Sequence, residues 1–428
     1  MSIVDGHYRH GLRRVLARRT DERGRTATPL ELLFDLTFVA AFGVAGEQLA
    51  HGIAIEEWMP AVAAFTFAMV TVVWAWVNVT WFSSAFDNDD WLYRLLTMVQ
   101  MAGVIVLAIG LPPLFASIEE GVALDNGVMV AGYVVMRVAL LVQWIRAVRA
   151  DPRYRRIALI YVAFVGTAQL GWITLAVLTV SPAAALPAVI VLLAIEILGP
   201  VISERLAARK NDGATPWHPH HLAERFGLLT IIALGETVFG TLASAREISA
   251  AEGWTFTTII VVATGVALSF ALWWTYFLVP HALALEARRD RTISWAYLHV
   301  FLFTALAAVG AGLHLIGYAH DPHYDIPPTT IVATIAVPVT VFIVIRYVLR
   351  TWLVSARPPN TPVQVTAALL PLIAITLTGL SVPIWVALLL VLASPVLLIL
   401  TFELGAWRTL DQQLHSLASP NSPTSLVE

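Results

Sequence analysis

The chain has 428 residues, of which 58% are apolar and 13% charged, with no cysteine and a net charge of −3. The charged share is about half the roughly 25% of a soluble domain, and with a mean hydropathy of +0.76 it excludes a water-soluble globular protein. The missing cysteines exclude disulfides, thiolate zinc sites and thiol nucleophiles. The net charge says nothing about partners, because the charges are segregated by loop, and no nucleic-acid partner is expected.

Residues 1–28 carry Arg9, Arg13, Arg14, Arg18, Arg19, Arg23 and Arg25 with no apolar run behind them, so they read as a basic cytoplasmic arm and not as a cleaved leader. Beyond the arm the chain is apolar for most of its length. A bilayer core of about 30 Å takes roughly 20 apolar residues per helix. That rule predicts an all-α polytopic transmembrane bundle of about twelve spans. The first six lie near residues 31–51, 59–82, 95–115, 126–147, 157–180 and 186–203. The second six lie near 222–243, 256–279, 293–316, 329–350, 363–380 and 384–404. Residues 204–221 read as a linker, and the polar Pro/Ser-rich tail of 406–428 reads as disordered from Asp411 on.

Orientation follows from the arginines. RAVRADPRYRR (146–156), SERLAARK (203–210), EARRDR (286–291) and RYVLR (346–350) all fall on the side of the arm. Short positively charged loops stay inside, so both termini are expected in the cytoplasm of a bacterial cell.

The two halves echo each other. Glu31 and Glu224, Trp74 and Trp273, Arg137 and Arg346, and Glu196 and Glu403 recur at separations of about 193, 199, 209 and 207 residues. Six spans per half give both halves the same orientation, so a parallel 6+6 repeat of residues 29–203 and 222–405 is expected.

Ionisable side chains within a membrane face a bundle interior and find partners there. Glu31 and Asp35 lie one turn apart on one face of the first span. Glu31 suits the acidic start of a helix, whereas Asp35 lies a turn deeper among Phe34, Leu36 and Phe38. Glu224 and Arg225 open the seventh span, and Glu236 follows eleven residues after Arg225, in mid-membrane. Glu31, Asp35, Arg225 and Glu236 are the candidate transport or ion-binding residues; the alternative is an acidic helix cap at the interface for Glu31 and Asp35, and an ion pair with an arginine of another helix for Glu236. Arg137 with Glu196, and Arg346 with Glu403, read as one intrabundle ion pair in each half.

Asn78, in the aromatic stretch WAWVNVTWF (74–82), is a further polar candidate, while the aromatics themselves suit interfacial anchoring. Asp87, Asp89 and Asp90 resemble the start of an oxygen-ligand loop but lack its glycine and distal glutamate, and a helix N-cap fits them better. HPHH (218–221) admits a metal but more readily an interfacial position, and His299 and His314 are candidates for protonation. No nucleotide, hydrolase or metalloprotease motif stands in its required context, so neither a cofactor, a resident metal nor an enzymatic activity is expected.

ELLFDLTFV at the first span, W-x-W-x-N at 74–78 followed by FDNDD and Arg94, and HLAERFGLLTIIALGE at 221–236 resemble the bacterial low temperature requirement protein A family over about residues 28–405. The resemblance implies a multi-pass protein of the bacterial cell membrane, and no particular substrate. The expected function is transport of a small ion or solute through an acidic interior, with the bilayer as the one certain partner. The alternative is a non-transporting scaffold or sensor for envelope adaptation to cold.

Overall fold

The computed structural model describes residues 11–22, 24–209, 214–358 and 360–418, the side chains of 208, 209 and 418 apart. Arg9, Arg23, Lys210 and the end of the tail from residue 419 lie outside the described residues. Within them the chain is helical, with no strand.

Twelve helices are long and apolar enough to cross a membrane. In order they are Pro29–Ala54, Trp58–Phe86, Trp91–Glu120, Gly127–Ala150, Pro152–Val177, Pro182–Ala207, Pro219–Glu252, Phe256–Ala287, Arg289–Tyr318, Pro328–Val354, Thr361–Gly379 and Ile384–Leu417. Each matches an expected span, and most extend beyond the apolar run that predicted them. The seventh runs nine residues past its expected end at 243, because polar Ser244, Arg246 and Glu247 continue a helix that hydropathy alone would stop.

Local chemistry sets several ends. Thr28 and Glu31 close a reciprocal cap around Pro29. The Thr28 hydroxyl accepts from the Glu31 N–H at 3.2 Å, and the Glu31 carboxylate accepts from the Thr28 N–H at 2.9 Å. Asp90 caps the third span by accepting from the Tyr93 N–H at 2.7 Å. The twelfth span leaves α geometry in a π turn at Phe402–Ala406, where Gly405 has φ +150°.

The helix then continues over Trp407–Ala418. This corrects the expected disorder for residues 411–418. Trp407, Leu410, Leu414 and Leu417 recur at helical spacing, and Leu410 is buried.

The contacts divide the chain into two units. The first holds the chain through Ala45 together with Thr71–Arg225, and the second holds Gly46–Val70 and Phe226–Glu428. The boundaries fall inside the first, second and seventh spans. In the first unit the third span packs on the fourth, the fourth on the fifth and the fifth on the sixth. In the second unit the ninth packs on the tenth, the tenth on the eleventh, the eleventh on the twelfth, and the twelfth on the eighth. Small residues allow close approach. A Cβ at Gly103 would lie 2.6 Å from Met136 Cγ on the neighbouring fourth span.

Candidate functional site

In the first unit the two acidic residues of the first span meet Arg225. Its Nε and Nη2 donate to Asp35 Oδ2 and Oδ1 at 2.9 and 2.5 Å, a two-pronged contact that the planar guanidinium favours. Its Nη1 donates to Glu31 Oε1 at 2.7 Å and to the Ser83 hydroxyl at 3.3 Å. The second span completes the cluster. Trp76 Nε1 donates to Asp35 Oδ1 at 2.6 Å, and Ser83 follows two turns later on the same face.

His221 adds a ring nitrogen 3.1 Å from Glu31 Oε1. An ionised carboxylate only accepts, so Nε2 carries the proton. Glu31, Asp35 and Arg225 are no more than 3% exposed. Two carboxylates face one guanidinium, so the cluster holds one negative charge with His221 neutral and none with it protonated. Each guanidinium nitrogen of Arg225 and all four carboxylate oxygens of Glu31 and Asp35 are hydrogen-bonded, whereas His221 Nδ1 has no partner among the described residues.

The N-terminal arm lies along the same unit. The Ala27 N–H donates to Glu224 Oε2 at 3.0 Å, and the Arg18 N–H donates to the Ala85 carbonyl at 2.9 Å. Arg25 reaches the Ser83 and Ser84 carbonyls, and Val15 is buried. The charges of the arm are therefore used in docking as well as in solvent.

The remaining candidates of this unit are held in the same manner. Asp89 pairs with Arg94 through two contacts of 2.8 Å, and Asp90 is shared by the N-cap and Arg146. Asp87 accepts from the Asp89 N–H at 2.8 Å and lies 3.6 Å from Arg18. Burial, followed by the nearby Glu31 charge, pushes the Asp87 carboxyl up to about 6. Asn78 donates to the Trp74 carbonyl of its own helix. His218 faces the Glu22 carbonyl, which turns it to a different partner from His221. Among the described residues no three metal-ligating side chains converge.

Arg137 and Glu196 lie 2.5 Å apart, joined by Tyr133 and Gln169, which donate to the same carboxylate at 2.7 and 3.0 Å. The corresponding pair in the second unit does not form. Arg346 donates to the Thr275 carbonyl and to Gln364 Oε1, while Glu403 is exposed and accepts from Trp274 Nε1 at 3.3 Å. The expected ion pair fails because Glu403 sits in the π turn, where the helix leaves the face that would meet Arg346.

In the second unit Glu236 stands apart from all these groups. It is 2% exposed, and among the described residues no hydrogen bond or ion pair reaches it. The glycines beside it make its niche. A Cβ at Gly46 would lie 4.0 Å from Glu236 Oε2, and one at Gly310 would lie 2.7 Å from Glu236 Cβ. One turn further along both helices, Gly240 faces His314, whose Cδ2 would be 3.1 Å from a Cβ there. Glu47 follows Gly46 and is exposed, and the His51 ring lies 6.4 Å from that of Tyr318. Glu47, His51 and His314 thus follow Gly46 and Gly310 within the next one to two turns of their helices. His299 is closed off by contrast, held between the Tyr276 hydroxyl at 3.0 Å and the Trp295 carbonyl at 2.8 Å.

Sequence reasoning missed Thr28, Trp76, His221 as a partner of Glu31, and Glu204. The Thr28-x-x-Glu31 spacing was readable as a capping box. Glu204 had no such signal. It gathers donors from Thr215, Tyr161 and Trp81 that are distant in sequence.

These features define an all-helical, multi-pass membrane protein with buried ionic clusters inside its helix packing. The chain belongs to the bacterial low temperature requirement A protein family, whose model matches residues 26–397. It is similar to "Uncharacterized protein RA0937" of Rhizobium meliloti (strain 1021), with 30% identity over 256 residues. That match covers 58% of this chain and 57% of the relative, so the chain spans a little over half of the length of the curated relative it matches. No solved structure matches it.

Proposed function

We propose that this protein moves a proton or a small cation across the bacterial cell membrane, and that Glu236 carries it. The observation behind this reading is the buried Glu236 carboxyl, which lacks a partner among the described residues. An ionised group at such a depth costs several kcal/mol unless something compensates it, and a proton or a cation is the compensation this niche can accept. Glu47, His51 and His314 lie within one to two turns on the helices of Gly46 and Gly310, and in this reading they supply polar groups on the approach. Spans three to six and spans nine to twelve each pack in chain order, which suits the parallel repeat common among transporters. In this reading both termini are cytoplasmic, the bilayer and the ion are the partners, and the protein is not an enzyme.

Glu31, Asp35 and Arg225 change role. They are saturated by one another, which suits a fixed joint between the first, second and seventh spans better than a binding site. That saturation also favours a second reading, a non-transporting scaffold or sensor for envelope adaptation to cold.

Flux measurements on purified protein in liposomes separate the two readings. The panel would include protons, sodium and potassium, with protein-free vesicles as the baseline. Transport predicts flux of at least one of these that Glu236→Gln abolishes in folded protein. Flux at baseline for the whole panel would leave the scaffold or sensor.

A further inference from the structure

Arg346 and Arg350 lie one turn apart in the last turns of the tenth span, each 8% exposed. Among the described residues neither has an ion pair. Arg346 donates to the Thr275 carbonyl at 2.8 Å and to Gln364 Oε1 at 3.2 Å. Arg350 donates to the Ala356 carbonyl at 2.7 Å and to Gln413 Oε1 at 2.5 Å. A guanidinium has five N–H groups, so these contacts leave three on each side chain. Two cations buried side by side against neutral acceptors repel each other and lack a counter-charge.

Both arginines line a small cavity with Tyr347, Asn360 and Gln364. Asn360 stands at the start of the eleventh span, where its side chain makes no capping bond. The cavity holds about 30 Å³, against the roughly 10–15 Å³ that one water needs. That is room for oxygens of one small anion, with the rest of the group at the mouth. The ends of the spans are also the depth at which phospholipid headgroups lie.

We propose that Arg346 and Arg350 form a phosphate-binding site in the second unit, with Asn360 and Gln364 as neutral donors. The guanidinium pair suits a tetrahedral oxyanion that accepts several N–H groups at once. The phosphate belongs either to a lipid headgroup or to free inorganic phosphate. The site is separate from Glu236, so the proposal stands whether or not the protein transports.

The test is thermal melting in an uncharged detergent. Sodium phosphate is compared with sodium chloride at equal ionic strength, and dioctanoyl phosphatidylglycerol with dioctanoylglycerol. The proposal predicts a higher melting temperature with a phosphate-bearing probe. A shift with inorganic phosphate identifies a free-phosphate site, and a shift with the phospholipid alone identifies a headgroup site. Arg350→Gln should lose the shift. Gln364→Glu, which places a carboxylate where Gln364 Oε1 now meets Arg346, should also lose it while melting no lower than the wild type. The second variant keeps the test decisive if the first does not fold. No shift with either probe, or a shift that Gln364→Glu retains, would overturn the proposal.

Discussion

Arg225 illustrates how the first unit handles charge. It is fully buried, yet its bonds to Asp35, Glu31 and Ser83 engage all three of its nitrogens. Breaking a buried pair by removing one partner costs about 3–5 kcal/mol, since the other charge stays behind unpaired. Arg225→Ala, which leaves the buried Glu31 and Asp35 carboxylates without their cation, should therefore lower the melting temperature sharply, with loss of monodisperse protein on size-exclusion chromatography. Retention of wild-type stability would mean that the cluster does not hold the spans together. Asp87 gives a pH signature. Its carboxyl is raised from the ordinary 3.8 to about 6, so the folded state holds this proton more tightly than the unfolded chain does. The resulting stabilisation is complete below the ordinary value and is lost as pH rises toward 6. Melting curves of the wild type and Asp87→Asn should accordingly diverge, the wild type losing ground between about pH 4 and 6, and run parallel above that. A difference independent of pH would contradict the assignment.

At the scale of elements, the glycines decide how closely helices approach. Gly310 leaves no room for a Cβ beside Glu236, so Gly310→Val should destabilise the protein by about 1–3 kcal/mol, as overpacking does. Melting measurements would show it, and an unchanged midpoint would mean that the two helices can separate freely. The helices were legible in the sequence because a membrane admits long apolar helices and little else. Asp35 was legible as a buried group, since hydropathy around it is high. Its partner was not, because Arg225 is 190 residues away and pairing across helices depends on rotation that periodicity does not encode. Arg346 and Glu403 show the converse. Their spacing mirrors Arg137 and Glu196, but a π turn displaces Glu403, and no feature of FELGA (402–406) announced that turn. Glu236 was picked out by depth alone. That nothing pairs with it among the described residues is a property of the packing.

At the scale of the whole molecule, the rule that short positively charged loops stay inside predicts that the arginine-rich loops and both termini are cytoplasmic. The chain contains no cysteine, so single introduced cysteines report accessibility without background. Cysteines at Arg153 and Ser355 should react with a membrane-impermeant maleimide only after the cells are opened, whereas cysteines at Val122 and Ser249 should react in intact cells. The opposite pattern would invert the protein and place Glu47 and His51 on the cytoplasmic side. The central claim concerns one carboxyl, and a hydrophobic carbodiimide tests it most directly, because it reacts with protonated carboxyls that lie within a membrane. Mapping the adducts by mass spectrometry, over a range of pH and with sodium or potassium as competitor, should find Glu236 modified. Labelling should fall as pH rises or as the carried cation is added. A folded protein in which Glu236 stays unmodified, or is modified to the same extent at every pH and cation concentration, would contradict an ion-carrying role.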